Sequence, residues 1–255
     1  MIELRKALRT AQNFFPGLAE TKNGFYHYTR KYLKIAHEAD FRIVSLLPRS
    51  EQDLFLDVGA NRGQSVLSIR CYRRDARIVS FEPNPSIYAR MLRHFGDDSR
   101  LRIENFALGA AEGSIILYVP VYRGFVYDGN ATVQKEIAFR YLSAKTLYFF
   151  NPALLRVDQQ SCTLKPLDSL GLAPSFVKID VEGSEYDVIA GGLNTLKRHE
   201  PVMMFEREYC PPRLFETLAA LGYDFVALEG DRLVQGDRGG LNVIMMTSAR
   251  LRQCR

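Results

Sequence analysis

From residue 54 onward, short apolar runs alternate with stretches of helical periodicity, and no other feature constrains the fold of this chain as strongly. This alternation is typical of βαβ units, whose parallel strands form one sheet with helices on both faces. The sequence therefore predicts an α/β fold with a seven-stranded, mostly parallel, Rossmann-like sheet. The predicted strands cover residues 54–58, 77–81, 101–104, 176–179, 202–205, 223–228 and 242–247.

Residues 1–50 precede the first predicted strand and carry helix-like apolar spacing, interrupted twice by turn-forming residues. We therefore expect an N-terminal helical extension of two or three helices, followed by a main domain over residues 51–255. The first ten residues include basic side chains but no apolar stretch as long as a signal peptide or a membrane span requires. The four cysteines lie far apart without zinc-ligand spacing. A reduced, cytoplasmic protein is the expectation.

A second irregular region, at about residues 107–170, does not follow the alternation and is predicted to be an insertion. A turn signal at Glu112-Gly113 predicts a hairpin that leads into a strand over residues 114–119. Residues 118–150 hold nine of the 29 aromatic residues (13 Tyr and 16 Phe), which indicates that the insertion has its own role. Its aromatic side chains could form the wall of a substrate cleft or simply the core of the insertion. The candidates are Tyr122, Phe125 and Tyr127.

The net charge of +5 arises from 34 basic and 29 acidic residues, and it suits an anionic partner such as a phosphate-bearing substrate or a membrane surface. Arginines are nevertheless spread along the whole chain, and four are expected on the solvated face and end of one helix: Arg70, Arg73, Arg74 and Arg77. A nucleic-acid groove would need aromatic residues interleaved with them, so no nucleic-acid partner is expected. Peripheral membrane association is the most that this charge indicates. A homo-oligomer is also compatible with the sequence.

Acids and amides stand at the ends of successive predicted strands. In an open parallel sheet, ligands bind outside the carboxyl ends of the strands, where loops carry polar side chains to one rim. We therefore expect the functional site at this rim. The strand-end residues are Asp57, Glu82, Asn105, Asp180, Glu182 and Glu206.

The first predicted strand runs into a glycine-containing loop, Asp57-Val-Gly-Ala-Asn-Arg-Gly63, that precedes a predicted helix. Gly59 and Gly63 would let the backbone pass close to a ligand, and the acidic Asp57 favours a ligand with a cationic end. Glu82 ends the second strand, where a carboxylate can accept both hydroxyls of an adenosine ribose. The dinucleotide fingerprint G-x-G-x-x-G is not matched, because asparagine and glutamine replace its second and third glycines. A nicotinamide-dependent oxidoreductase is therefore disfavoured.

The fourth predicted strand, which begins at Phe176, contains Lys178 and runs into Asp180 and Glu182. Ionisable side chains are costly inside a core strand, so their presence indicates a site. A structural ion pair at the strand end would explain them as well. Glu206 ends the next strand and could face the same cleft.

These motifs also occur in a specific order. The chain contains FLDVGANRGQS, then IVSFEPNP, NFALGAAEGS, VKIDVEGSEYDVIAGG and PVMMFE. In this order and spacing, residues 54–206 resemble the FkbM family of S-adenosylmethionine-dependent methyltransferases. The resemblance implies a class I methyltransferase sheet and methyl transfer to a hydroxyl of a sugar, glycolipid or natural product. It does not cover residues 1–50 or the aromatic insertion, where we expect the choice of acceptor to reside.

The resemblance also implies a position for each part of the cofactor. The residues implied at its methionine end are Asp57, Gly59, Asn61 and Gly63. The residues implied at its adenosine are Glu82 for the ribose and Asn84, Asn105 and Ala107 near the adenine. The reaction centre is implied beside Asp180 and Glu182.

Methyl transfer to a hydroxyl is an in-line displacement that requires an aligned acceptor oxygen and a site free of water. A carboxylate within hydrogen-bond reach should accept the leaving proton, and the candidates in order of preference are Asp180, Glu182 and Glu206. A divalent metal held by two of these carboxylates is an alternative, although no separate ligand cluster supports it. A non-catalytic cofactor-binding domain that serves as an assembly partner is a further alternative.

The four histidines are expected to have structural roles first. His94 lies on the helix after Glu82 and His199 lies before the fifth strand, so both are predicted to be surface residues. His27 and His37 fall in the N-terminal helices, and either could act only if those helices fold over the cleft.

Overall fold

The computed structural model describes residues 2–15, 17, 24, 29, 32–33, 35–50, 53–230 and 232–254. In chain order its strands are β1 (Leu54–Val58), β2 (Arg77–Phe81), β3 (Leu101–Glu104), β4 (Ala107–Leu108), β5 (Gly113–Tyr122), β6 (Phe125–Val126), β7 (Leu155–Lys165), β8 (Phe176–Ile179), β9 (Val202–Glu206), β10 (Tyr223–Glu229), β11 (Arg232–Gln235) and β12 (Asn242–Thr247). Its helices include α1 (Ile2–Phe14), α2 (Gln64–Tyr72), α3 (Pro85–Phe95), α4 (Lys135–Arg140), α5 (Glu185–Ala190), α6 (Leu193–His199), α7 (Pro212–Ala220) and α8 (Ser248–Gln253).

The main sheet has the strand order β11-β10-β12-β9-β8-β1-β2-β3. Strands β3, β2, β1, β8 and β9 are parallel neighbours, whereas β12 runs antiparallel to both β9 and β10. All seven predicted strands are present in this mostly parallel sheet, which confirms the predicted α/β fold. An eighth strand, β11, pairs antiparallel with β10 at the edge. Its four residues hold only two adjacent apolar side chains, too few to produce a recognisable strand pattern.

The central strands are buried on both faces, as parallel strands covered by helices require. Successive residues of β1 enter different hydrophobic clusters: Phe55 packs in one with residues of α2, and Leu56 packs in the other with residues of α5 and α7. A 3-10 helix, Ala39–Ser45, also contributes buried residues to the first cluster. The main sheet therefore lies between two apolar layers, and its polar groups are left to the strand ends.

The chain divides into two compact units. We call residues 34–113 and 163–255 the sheet unit, and residues 1–33 and 114–162 the helix–insertion unit. The predicted helical extension begins with α1, and residues 17, 24, 29, 32 and 33 are also helical. The rest of residues 16–34 lies outside the described residues. The predicted division into an extension and a domain at residue 50 stays a prediction.

A second sheet has the strand order β4-β7-β5-β6, and the helix–insertion unit contains β6 and most of β5 and β7. The predicted hairpin at Glu112-Gly113 is wrong, because β7 and not β5 lies beside β4. The actual hairpin joins β5 to β6 through Arg123 and Gly124, with φ angles of +52° and +81°. Two positive φ angles characterise the tight turn that matches the twist of paired strands.

Helix α1 packs on the aromatic insertion within this unit. The Tyr127 hydroxyl donates a hydrogen bond to Asn13 Oδ1 at 2.8 Å, and the Tyr148 backbone N–H donates to Thr10 Oγ1 at 2.9 Å. Tyr122 and Tyr127 belong to the buried core of the unit, and Phe125 packs against that core. Of the two roles considered for these aromatic residues, this packing matches the structural one.

One arginine is buried, contrary to the prediction that Arg70, Arg73, Arg74 and Arg77 are solvated. The side chain of Arg73 is 1% exposed. Its guanidinium is 2.6 Å from Asp53 Oδ2 and donates to the carbonyls of Val44, Leu47 and Pro48. Helical spacing could not reveal this, because the partners belong to the segment before β1.

Among the described residues, no helix combines the length and the apolar character that a membrane span requires.

Candidate active site

The candidate site lies at the carboxyl ends of β2, β1, β8 and β9. The register places Asp57 of β1 beside Ser80 of β2 on one side and Lys178 of β8 on the other. Ile179, the last residue of β8, is beside Phe205 of β9. The strand ends therefore bring four of the predicted site segments to one rim, as the topology of a parallel sheet requires.

The loop after β1 passes very close to the loop after β8. Gly59 has a φ of +84°, and a Cβ at this position would lie 1.8 Å from the backbone oxygen of Asp180. The N–H groups of Gly59 and Ala60 both donate to the Phe81 carbonyl, at 3.1 and 3.0 Å. Only glycine combines this conformation with this contact. Gly59 thus joins the ends of three neighbouring strands.

The same loop leads into α2 through two more residues with positive φ. Asn61 has a φ of +46°. Gly63 has a φ of +79°, and a Cβ there would lie 2.4 Å from the ring of Phe95. Gly63 caps the N-terminus of α2, so its conformation sets the angle at which the helix leaves the sheet.

Asp57 is fully buried beneath this loop. The Ser80 hydroxyl donates to Asp57 Oδ2 at 3.2 Å. Burial raises the pKa of Asp57 to about 6, and the positive charge of Lys178 is the strongest of the influences that oppose this rise. Because the side chain has no exposed surface, Asp57 acts on the rim through its charge.

Glu82 lies just after β2 and holds two backbone segments together. Its Oε2 accepts the N–H of Asn61 at 2.7 Å, and its Oε1 accepts the N–H of Asn84 at 2.9 Å. Burial raises the pKa of Glu82 to about 7, although both N–H groups favour the charged form. The predicted glycine loop and the predicted ribose carboxylate therefore lie in direct contact.

The three residues predicted near the adenine surround this corner. Asn84 is buried and caps α3, where its Oδ1 accepts the Ser86 N–H at 3.0 Å. The Asn105 side-chain amide donates to the Glu82 carbonyl at 2.8 Å. Ala107 lies in β4 and is buried. Asn84 and Asn105 therefore adjoin Glu82.

A carboxyl pair stands at the ends of β8 and β9. The buried Lys178 Nζ lies 2.9 Å from Asp180 Oδ2. Glu206 adjoins Asp180, and hydrogen bonding between the two carboxyls favours the protonated form of Glu206. The pKa of Glu206 is raised to about 7 by its desolvation, by this hydrogen bond and by the negative charge of Asp180. The structure thus brings together two of the three predicted bases.

Glu182 and Glu185 complete the loop after β8. Glu182 has a φ of +50°, and burial together with the charges of Asp180 and Glu185 raises its pKa to about 7. Glu185 is fully buried and accepts the N–H groups of Val181 and Gly183. Sequence reasoning gave Glu185 no role, although it lies in the motif that predicted Asp180. The signal available in the sequence was an acidic residue shortly after Gly183, the glycine of this motif.

Acidic side chains from the segment before β1 also reach this rim. The Asn242 side-chain amide donates to Glu38 Oε2 at 2.8 Å and to Asp40 Oδ2 at 2.9 Å. Asn242 is the register partner of Glu206, and the negative charge of Glu38 contributes to the raised pKa of Glu206. No local pattern in the sequence indicates contacts over some two hundred positions.

The histidines are distributed as follows. His37 Nε2 lies 3.8 Å from Glu38 Oε1, so His37 is near the carboxyl rim. His94 is exposed on α3, and His199 is the last residue of α6. His27 lies outside the described residues. Among the residues that the structure does describe, no group of three His, Cys, Asp or Glu side chains could hold a metal ion.

Comparisons with known proteins agree with this architecture. Residues 57–225 match the model of the methyltransferase FkbM domain. The chain is 28% identical to 2-O-methyltransferase NoeI of Sinorhizobium fredii over 179 residues, which are 69% of this chain and 70% of NoeI. It is 31% identical over 158 residues to AMB antimetabolite synthetase AmbE of Pseudomonas aeruginosa, of which the match covers 7%.

A solved structure has the same fold. The methyltransferase FkbM from Methylobacillus flagellatus aligns with a TM-score of 0.50 and 15% sequence identity, over 82% of this chain and 48% of that one. The chain thus spans about half the length of this solved relative. Because the family model covers most of the sheet unit and the insertion, the chain belongs to the FkbM family of S-adenosylmethionine-dependent methyltransferases.

Proposed function

We propose that this protein is an O-methyltransferase that transfers a methyl group from S-adenosylmethionine to a hydroxyl of a sugar, glycolipid or natural product. The observation that carries the proposal is the carboxyl pair of Asp180 and Glu206 at the sheet rim, where the buried Lys178 Nζ lies 2.9 Å from Asp180 Oδ2. A base is most effective when its pKa lies near the working pH, and the pKa of Glu206 is raised to about 7. The name of the relative NoeI, a 2-O-methyltransferase, agrees with oxygen as the acceptor atom.

The donor groups on the β1 and β2 side of the rim fit the cofactor. Glu82 is a buried carboxylate held in place by two backbone N–H groups, and it retains lone pairs that can accept ribose hydroxyls. Asp57 adds negative charge behind the loop, which favours a ligand with a cationic end. In this proposal Gly59, Asn61 and Gly63 line the methionine end. Asn84, Asn105 and Ala107 border the adenine.

The bound cofactor supplies an electrophilic methyl group on a sulfonium. The protein's own residues align the acceptor hydroxyl and receive its proton as the new carbon–oxygen bond forms and the carbon–sulfur bond breaks. Lys178, at 2.9 Å from Asp180, holds that carboxylate in one orientation. The proton passes to the Asp180–Glu206 pair, so the pair ends the step with one proton more than it began with. Glu182 is the second candidate base, because its pKa is also raised to about 7.

Ligand-dependent melting separates this proposal from an oxidoreductase. We expect S-adenosylhomocysteine to raise the melting temperature of the protein, because a ligand that binds only the folded state stabilises it. NAD should leave the melting temperature unchanged. Stabilisation by NAD but not by S-adenosylhomocysteine would overturn the proposed cofactor site.

Turnover tests the carboxyl pair, with labelled methyl donor and a panel of deoxysugar glycolipids and sugar nucleotides as acceptors. Asp180→Asn should lower kcat by about 10² to 10⁴-fold, since it removes a general base, while S-adenosylhomocysteine still binds. Asp187→Asn, an exposed aspartate on α5, is the matched control and should keep the parent rate. Full activity of Asp180→Asn would contradict the proposed role.

Glu206→Gln should lower the rate and flatten the rise of the rate through about pH 7, because glutamine remains a donor to Asp180 at every pH.

A further inference from the structure

The positive net charge of the molecule comes entirely from the helix–insertion unit. Residues 1–33 and 114–162 hold 11 Lys and Arg against 5 Asp and Glu, a net charge of +6. The sheet unit holds the other 23 basic and 24 acidic residues, a net charge of −1. The total of +5 therefore reflects one strongly basic unit, in contrast to the even spread that the sequence suggested. A charge of this kind attracts anionic surfaces.

Exposed apolar side chains are concentrated in the same unit. Among the described residues, 16 large hydrophobic side chains are exposed, and 12 of these belong to the helix–insertion unit. The four in the sheet unit are Ile35, Leu92, Leu193 and Leu241. Scattered apolar residues on a surface are ordinary, but their concentration on one small basic unit indicates an interaction surface.

Helix α1 directs its apolar face outward. Leu4 is 65% exposed and Leu8 is 42% exposed, and Phe15, directly after the helix, is 64% exposed. At 100° per residue these positions form one stripe along the helix. The opposite face carries Lys6 and Thr10, and it packs on the aromatic insertion: Lys6 Nζ lies 4.5 Å from the centre of the Tyr148 ring. An ordinary surface helix of a globular protein has the reverse orientation.

An exposed aromatic residue follows Tyr148 in the chain. Phe149 is 88% exposed and has a φ of +52°, in the left-handed region that few residues other than glycine adopt. Ile137 and Phe139 on α4 are also exposed. Aromatic and aliphatic side chains next to basic ones are the usual composition of surfaces that insert into the headgroup region of a bilayer.

From these observations we propose that the helix–insertion unit docks on an anionic lipid bilayer. The exposed apolar side chains, led by Leu4, Leu8 and Phe149, would enter the boundary between headgroups and acyl chains. The basic side chains would contact lipid phosphates.

A second copy of the chain is a poorer occupant of this surface, because two units of charge +6 repel each other. A nucleic acid would use the charge but leave the apolar residues exposed to water. The docking does not depend on the proposed function, but one consequence does: the acceptor would be a lipid-anchored hydroxyl compound.

Co-sedimentation with vesicles tests the apolar part of this surface. We expect the full chain to bind vesicles of equal parts phosphatidylcholine and phosphatidylglycerol, and not vesicles of phosphatidylcholine alone. The double variant Leu4→Ser, Leu8→Ser should reduce binding at least tenfold, since two inserted leucines are lost. The control is Leu193→Ser with Leu241→Ser, the same change at exposed leucines of the sheet unit, and it should bind like the parent.

A second pair of variants tests the charge without touching α1. Lys135→Glu with Lys145→Glu changes two exposed residues of the helix–insertion unit, and each lysine lost near an anionic surface should weaken binding about fivefold. Arg93→Glu with Lys197→Glu makes the same change in charge on the sheet unit and should have little effect. Binding should also fall as salt is raised.

Three outcomes would overturn the docking proposal. The first is absence of binding to the anionic vesicles. The second is equal loss of binding in the variants of both units. The third is a dimer that disappears in the Leu4→Ser, Leu8→Ser variant without any vesicle binding, since the stripe would then be a contact between copies. None of these results bears on S-adenosylhomocysteine binding or turnover with a soluble acceptor, so the proposed function is tested separately.

Discussion

The two compact units treat charged and apolar side chains in opposite ways. The sheet unit is nearly neutral and buries carboxylates such as Asp57 and Glu185 at its strand ends. The helix–insertion unit is strongly basic, and its helix α1 packs through polar residues while its leucines stay exposed. Burial raises the pKa values of the acids in the sheet unit, which suits them to proton transfer. Exposed apolar groups beside basic ones instead form a surface to which a partner can bind. The difference suggests that reaction and docking are assigned to separate parts of the chain.

The sharpest test of this contrast compares one glycine from each unit. Gly59 and Gly124 both have positive φ, but only Gly59 has a neighbour where a Cβ would be, the Asp180 oxygen at 1.8 Å. Gly124→Ala should cost about 1–2 kcal/mol of unfolding free energy, the price of the left-handed conformation. Gly59→Ala should cost about 3 kcal/mol more and should abolish S-adenosylhomocysteine binding.

Denaturant unfolding of the two variants measures this difference, and isothermal titration measures the binding. Similar losses of stability would mean that the Asp180 backbone can move away from Gly59. The sheet unit would then be less constrained at its rim than the close approach of the two loops indicates.

The second test uses pH, because the sheet unit contains the acids with raised pKa. A carboxyl whose folded pKa exceeds its unfolded value stabilises the fold at low pH, and this stabilisation is lost as pH rises through the folded pKa. For Asp57, with an ordinary pKa of 3.8 and a folded pKa of about 6, the loss should be about 3 kcal/mol. Without ligand, the protein should therefore become less stable as pH rises from about 4 to 7.

The matched variant for this test is Asp57→Asn, which cannot ionise. It should remove about 3 kcal/mol of the fall in stability, chiefly between the unfolded value of 3.8 and the folded value of about 6. Unfolding by urea at constant ionic strength over this range provides the measurement. A variant that loses stability with pH as steeply as the parent would show that Asp57 stays charged in the folded protein.

The smallest expected effect concerns the polar packing of α1. Tyr127→Phe removes a buried hydrogen bond to Asn13 and should cost about 1–2 kcal/mol, because the Asn13 oxygen loses its partner. Tyr223→Phe is the counterpart in the sheet unit, where the hydroxyl lies 3.3 Å from the Leu196 carbonyl and the cost should be smaller. Hydrogen exchange of α1 distinguishes the two. If α1 exchanges equally in both variants, the Tyr127–Asn13 contact does not hold the helix.

The sheet could be predicted because parallel strands leave a strong local signal. Strands such as β1 and β8 are buried on both faces, so each is a short, mainly apolar run with one charged residue near its carboxyl end, Asp57 in β1 and Lys178 in β8. The short edge strand β11 lacks that signal. The sequence predicts the hairpin of the insertion at Glu112-Gly113 and not at Arg123-Gly124, because arginine is not a typical turn residue and its positive φ is not visible in the sequence.

The site residues at the carboxyl ends of the strands could be predicted from the sequence. Asp57 lies near the end of β1, Glu82 directly follows β2 and Asp180 directly follows β8, and the topology of the sheet then brings them to one rim. Glu38 and Asn242 could not be predicted, because their contact joins residues some two hundred positions apart. The outward apolar face of α1 was hidden for a different reason: helical periodicity reveals that a stripe exists and not which side packs on the protein.

The buried Arg73 has a practical consequence for shortened forms of this protein. Its guanidinium draws the carbonyls of Val44, Leu47 and Pro48 together with the carboxylate of Asp53. Proteolysis or truncation at residue 51 would leave a cation inside the apolar core with most of its acceptors gone. We therefore expect the shortest fragment that folds to start before the 3-10 helix at Ala39, because it must include the carbonyl groups that bind Arg73.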